Sequence, residues 1–86
     1  MQPSAMPPET VPYVVLERCD RTRNMARYYV LSLEPSLFGD IALVRQWGRL
    51  GHASRQRIDL FQQRAHAVET LEAWFARKRR RGYVTR

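Results

Sequence analysis

Apolar residues recur along this chain in two rhythms, in short β-rich or alternating runs between Tyr13 and Phe61 and then about every 3.6 positions from Gln63 onward. The first rhythm predicts strands and the second an amphipathic helix. Residues 13–18 read as a first strand, the charged residues 20–25 as a loop, and residues 27–34 as a second strand. In that second strand Tyr29, Leu31 and Leu33 fall on one face, with Tyr28, Val30 and Ser32 on the other. Pro35, Ser36, Gly39 and Asp40 frame a connection too short for a crossover helix, so a third strand over residues 40–49 pairs antiparallel with the second. Beyond a loop at residues 50–54, residues 55–61 read as a fourth strand, with Ile58 and Leu60 inward and Arg55, Arg57 and Asp59 outward. In the helix, Ala67, Val68, Leu71, Trp74 and Phe75 form one stripe that packs across the sheet. Gln62 and Gln63 are poor caps, so its start is loose by a turn, whereas Gly82 is placed to end it. Tyr83 and Val84 either add a short terminal strand or tuck against the core. The expected fold is therefore α+β, a small, mostly antiparallel sheet of four to five strands with one C-terminal helix packed on it. Residues 1–11, with Pro3, Pro7 and Pro8, read as a disordered or extended lead-in, and residues 12–86 as a single domain.

A chain of 86 residues holds one small core that buries roughly 60% of the unfolded surface, which leaves little depth for an enzymatic cleft. No GxSxG elbow, phosphate-cradling GxxxxGK[ST] loop or paired-carboxylate motif is present, so no catalytic residue and no enzymatic activity are expected. Cys19 has no partner for a disulfide, and with His52 and His66 it lacks the spacing of a zinc site, so neither metal nor cofactor is expected. Both histidines read as surface residues. No run reaches the ~18 apolar residues that cross a bilayer, and the start lacks a signal peptide's basic and apolar stretches. A soluble, cytoplasmic protein without a membrane partner is the expectation.

Charge changes the picture. Fifteen basic residues against eight acidic ones leave a formal net charge of +7, which favours a polyanionic partner. Along the third strand Ile41, Leu43, Arg45, Trp47 and Arg49 share a face, so two arginines flank a tryptophan. Such a row sets an aromatic plane that stacks on a base or sugar between guanidinium forks that bind phosphate oxygens. Two readings of Trp47 stay open, an exposed stacking residue or a continuation of the core face begun by Ile41 and Leu43. Gly48 lets a backbone or ligand come close there, or marks a bulge. Arg55 and Arg57 on the fourth strand extend the basic surface. The run Arg77, Lys78, Arg79, Arg80 and Arg81 exceeds what the dipole of a helix end needs, and a polyanion would relieve its self-repulsion.

The ordered set Arg27-Tyr28-Tyr29, Trp47-Gly48-Arg49-Leu50-Gly51, Ala67 with Leu71, and Arg80-Arg81-Gly82-Tyr83 resembles the WGR domain, over about residues 13–84. Length and arrangement resemble the stand-alone bacterial members. In the related domain of poly(ADP-ribose) polymerases the module binds DNA near a strand break and relays that binding to a catalytic domain. The resemblance implies that Trp47 packs against a sugar or base at a DNA end, and that Arg49 contacts DNA or another protein domain. Two functions follow. The first is a DNA-binding module, with RNA also open, using Trp47, Arg45, Arg49, Arg55, Arg57 and residues 77–81. The second is a protein-interaction module with Trp47 and Arg49 as its hot spot. Self-association through a sheet edge is open as well, and the sequence does not rank monomer against dimer.

Overall fold

In the computed structural model, which describes residues 12–86, five strands form one antiparallel sheet in the order β4-β3-β2-β1-β5. These are β1 (Tyr13–Asp20), β2 (Met25–Pro35), β3 (Ile41–Arg49), β4 (Arg55–Phe61) and β5 (Val84–Thr85), with the helix α1 (Arg64–Arg80) between the last two. The lead-in expected over residues 1–11 lies outside the described residues. Both fates open to Tyr83 and Val84 occur, one for each: Val84 begins β5, which pairs antiparallel with the outer edge of β1, and Tyr83 packs into the core.

The β1–β2 hairpin is longer than its charged stretch suggests, because Asp20 caps the turn. Its carboxylate accepts from the Thr22 amide at 3.1 Å and from the Thr22 hydroxyl at 2.6 Å, and Asn24 closes the turn in the left-handed region at φ 50°. A single 3-10 turn over Arg21–Arg23 therefore replaces the longer loop expected. The β2–β3 connection closes through the Ser36 amide, which donates to the Asp40 carbonyl at 2.8 Å, with Gly39 at φ 87°.

Helix α1 starts at Gln63 without a side-chain cap and ends in a Schellman motif. Gly82 takes φ 97°, its amide donates to the Arg79 carbonyl at 3.1 Å, and the Tyr83 amide donates to the Lys78 carbonyl at 3.1 Å. That reversal turns Tyr83 back into the core, which consists of Leu16, Tyr29, Leu31, Leu33, Leu43, Ala67 and Tyr83. Val68, Leu71, Trp74 and Phe75 pack against it as the helical stripe requires. Among the described residues no helix or strand covers the other face of the sheet, although Ser32, Ala42 and Val44 on it are buried.

Two expectations are corrected. The β2–β3 ladder runs unbroken through Tyr28 opposite Gly48, so Gly48 marks no bulge. It instead accommodates the loop after β3: a Cβ there would lie 3.3 Å from the Ala53 carbonyl oxygen and 3.2 Å from the Tyr28 hydroxyl. The phase of β4 is also reversed. Leu43 faces Asp59, Arg45 faces Arg57 and Trp47 faces Arg55, and directly opposed residues share a face. Asp59, Arg57 and Arg55 thus lie on the helix-covered side, while Ile58 and Leu60 lie on the open side, 54% and 60% exposed. The cross-strand demand of Arg45 for a carboxylate sets this phase against hydrophobicity.

Core and open faces should therefore respond differently to truncation. Leu43→Ala should cost about 2–5 kcal/mol in denaturant unfolding, whereas Leu60→Ala should cost under about 1 kcal/mol because its side chain is already in water. Equal losses would restore the inward placement of Leu60.

Candidate nucleic-acid interface

The hairpin registers line up like charges. A hairpin centred near Phe38 sets Arg27 opposite Arg49, and the β1–β2 hairpin sets Arg18 opposite Arg27. Arg18, Arg27 and Arg49 therefore form one row across three strands, on the helix-covered side of the sheet, with neighbouring Cβ atoms about 5 Å apart. None of them has a carboxylate within ion-pair distance among the described residues. Like charges directly opposite one another destabilise a sheet, so this row is a cost the fold itself does not explain.

The next row is aromatic. Leu16, Tyr29, Trp47 and Arg55 face one another in sequence across β1 to β4. Trp47 stacks on Tyr29 with centroids 5.7 Å apart and planes 17° from parallel, and Tyr29 meets Trp74 of the helix at 6.4 Å. Trp47 continues the core face only in part. It is half-buried against Tyr29, and the rest of the indole lines a cleft of about 380 Å³ with Arg27, Gly48, Arg49, His52, Arg55 and Tyr83. The loop wall is held by the Leu50 amide, which donates to the Ala26 carbonyl at 3.0 Å, and by the His52 amide, which donates to the Arg49 carbonyl at 3.1 Å.

Arg45 does not join this surface. Only 7% exposed, its guanidinium lies 4.1 Å from the Trp74 ring centroid and 5.9 Å from that of Trp47. Its Nη2 pairs with Asp59 at 3.5 Å, its Nη1 donates to the Tyr29 hydroxyl at 3.4 Å, and its buried Nε has no hydrogen-bond partner among the described residues. Helix and aromatics cover it, so phosphate contact is closed to it, and it works as a cation packed between indoles. Arg57 is exposed but shares the Asp59 carboxylate at 3.5 Å and lies outside the cleft.

The basic helix end divides around the helix. Arg77 lies over Trp74 at 4.6 Å and Arg79 over Phe75 at 5.8 Å, while the ammonium of Lys78 lies 4.4 Å from the Tyr29 centroid. Burial pushes the Lys78 ammonium below its ordinary value of 10.5, and the nearby charges of Arg81, Arg45, Arg77 and Arg27 push it further. Lys78 therefore sits beside the cleft residue Tyr83, with Arg81, Arg77 and Arg27 close enough to repel its charge, while Arg79 lies over Phe75. Of the residues expected from sequence, Trp47, Arg49 and Arg55 come together in the cleft. Arg27, His52 and Tyr83 were not expected there; register, the loop after β3 and the helix-end reversal bring them in, and register also sets Arg18 beside Arg27 just outside the cleft. The turn at Phe38 is the sequence signal that places Arg27 against Arg49.

Among the described residues no cluster of histidine, cysteine, aspartate or glutamate is arranged to hold a metal ion, and no helix is long and apolar enough to cross a membrane. Sheet, single helix and arginine-lined cleft define a small α+β module with an anion-attracting strand end. The model of the WGR domain matches residues 13–86, and the chain belongs to that family. It is 47% identical over 76 residues to the uncharacterized protein y4dW of Sinorhizobium fredii, a match that takes in 87% of this chain and 37% of that one. The chain thus spans well under half the length of that relative. No solved structure matches it.

Two measurements probe these assignments. Asp59→Asn removes the carboxylate that pairs with buried Arg45 and should cost about 2–4 kcal/mol in chemical denaturation; Arg45→Met removes the charge itself and should cost less. The reverse order would mean that Arg45 does not depend on Asp59. For Lys78, a folded value below 10.5 means that the folded state disfavours its charged form. That cost is present at neutral pH and fades as pH rises through the folded value towards 10.5. The stability of wild type relative to Lys78→Met should accordingly improve across that alkaline window in thermal melts, and a pH-independent difference would contradict it.

Proposed function

We propose that this chain is a nucleic-acid-binding module that holds a DNA backbone along the Arg18, Arg27 and Arg49 row, with Trp47 and Arg55 at the cleft and Lys78 and Arg81 beside it. It acts by binding and not by catalysis. The observation that carries this reading is the row of directly opposed arginines without carboxylate partners, opening on a half-buried indole. A phosphate backbone supplies the missing negative charge, and each bidentate guanidinium contact releases condensed counterions. Trp47 offers the apolar plane against which a sugar or base packs when the duplex is interrupted. Membership of the WGR family supports the same reading, through the resemblance to the break-binding domain of poly(ADP-ribose) polymerases. Arg45 drops out of the binding set, and Arg18 and Arg27 enter it.

Fluorescence anisotropy against intact, nicked and blunt-ended DNA, and against RNA duplex, at two salt concentrations tests the assignment. Arg27→Gln, Arg49→Gln and Arg55→Gln should each weaken DNA binding about tenfold and lower the salt slope by about 1, as loss of a phosphate contact does. Arg64→Gln, at the far end of α1, should do neither. Cleft variants that bind as wild type would sink the proposed surface, and weak binding indifferent to salt would favour Trp47 and Arg49 as a protein-binding hot spot.

A further inference from the structure

We infer that the free edge of β4 is a self-pairing edge, through which two copies of this chain join into one continuous antiparallel sheet. Among the described residues the edge is open: β4 pairs with β3 on one side and lies at the end of the strand order on the other. It runs the full length of Arg55–Phe61 without a proline or a glycine, so its outward backbone groups are free to form a ladder.

The side chains make that ladder specific for a second copy. Under a two-fold axis through Ile58, antiparallel pairing sets Arg57 against Asp59 of the other copy, and Asp59 against its Arg57. Two opposite-charge pairs result on the helix side. The same register sets Arg55 against Phe61 at both ends, a cation facing an aromatic ring. On the open side it joins the exposed Ile58 residues to each other and Gln56 to Leu60. A slip of two residues would oppose Arg57 to itself or Asp59 to itself, so charge selects this register over its neighbours.

The remaining surface agrees. The arginines of β1 to β4 lie on the helix-covered side, and Arg86, just beyond β5, pairs with Glu17 at 3.3 Å. The repulsion between two chains of charge +7 is therefore weakest around the Ile58 and Leu60 side of this edge. The helices also clear one another. Centred over β3, they would be separated by three strand spacings, about 14 Å, against about 8–10 Å for helices in contact. Both basic faces then lie on the same side of the joined sheet.

Sedimentation equilibrium of the full chain without nucleic acid reads the dimer directly. Arg57→Asp and Asp59→Arg, each alone, oppose like charges twice and should weaken association about tenfold, while the double exchange should restore it. Because Asp59 also pairs with Arg45, circular dichroism accompanies each variant. A second probe avoids that coupling: Ile58→Cys in a Cys19→Ser background should form an intermolecular disulfide under mild oxidation, and Leu37→Cys, at the β2–β3 turn, should not. A chain that stays monomeric, a dimer indifferent to both single reversals, or equal cross-linking at positions 58 and 37 would overturn the inference.

Discussion

The antiparallel register of β2 against β3 is the constraint on which the rest of the structure depends. From Arg27 opposite Arg49 to Pro35 opposite Ile41, it decides which side chains share a row, and every neighbouring strand inherits its phase. One row becomes hydrophobic core at Leu33 and Leu43, one holds Arg45, one stacks Tyr29 on Trp47, and the last assembles arginines. Because side chains alternate with period two, a one-residue slip would expose the core and scatter the charged row together. The site and the core are thus specified by the same hydrogen-bond ladder.

A chain this basic needs a way to keep cations close to its core, and aromatic rings provide it. Arg45, Arg77 and Lys78 each lie over a ring of Tyr29, Trp74 or Trp47. The ring faces offer partial negative charge without the desolvation cost of a carboxylate, and the long side-chain stems contribute apolar contact. Where rings run out, Asp59 supplies a counter-charge to buried Arg45. The Schellman turn at Gly82 belongs to the same device, since it returns Tyr83 beneath Lys78. Core stability and surface potential are therefore coupled: the residues that hold the helix on the sheet also concentrate positive charge at one end of it.

That coupling gives the molecule two dissimilar regions. At the Arg49 end, guanidinium groups without a carboxylate partner among the described residues surround an indole that is half in the core. Along the β4 edge, charge alternates and apolar residues stand exposed, an arrangement matched to a copy of itself. Joining two chains there would place two basic faces on one side, which suits a ligand long enough to reach both.

Much of this was legible in the sequence. Period-two alternation established strands, the later change of period established one helix, and the residues of the Trp47 tripeptide pointed to the strand end that carries the cleft. Those features are local, and local sterics with binary patterning are enough to produce them. The fate of individual charges was not legible. Arg45 and Arg49 are equivalent by alternation, yet one is roofed by Trp74 and the other is open, because the helix covers only part of the strand's length. Arg18 and Arg27 enter the site only when two hairpins bring distant positions into one row, and the inversion of β4 follows from pairing Asp59 with a cation from another strand. The sequence by itself determined which elements form; the tertiary structure decided which cations are buried and which are displayed, since burial and ion pairing depend on neighbours that the chain brings together only when the sheet and helix close.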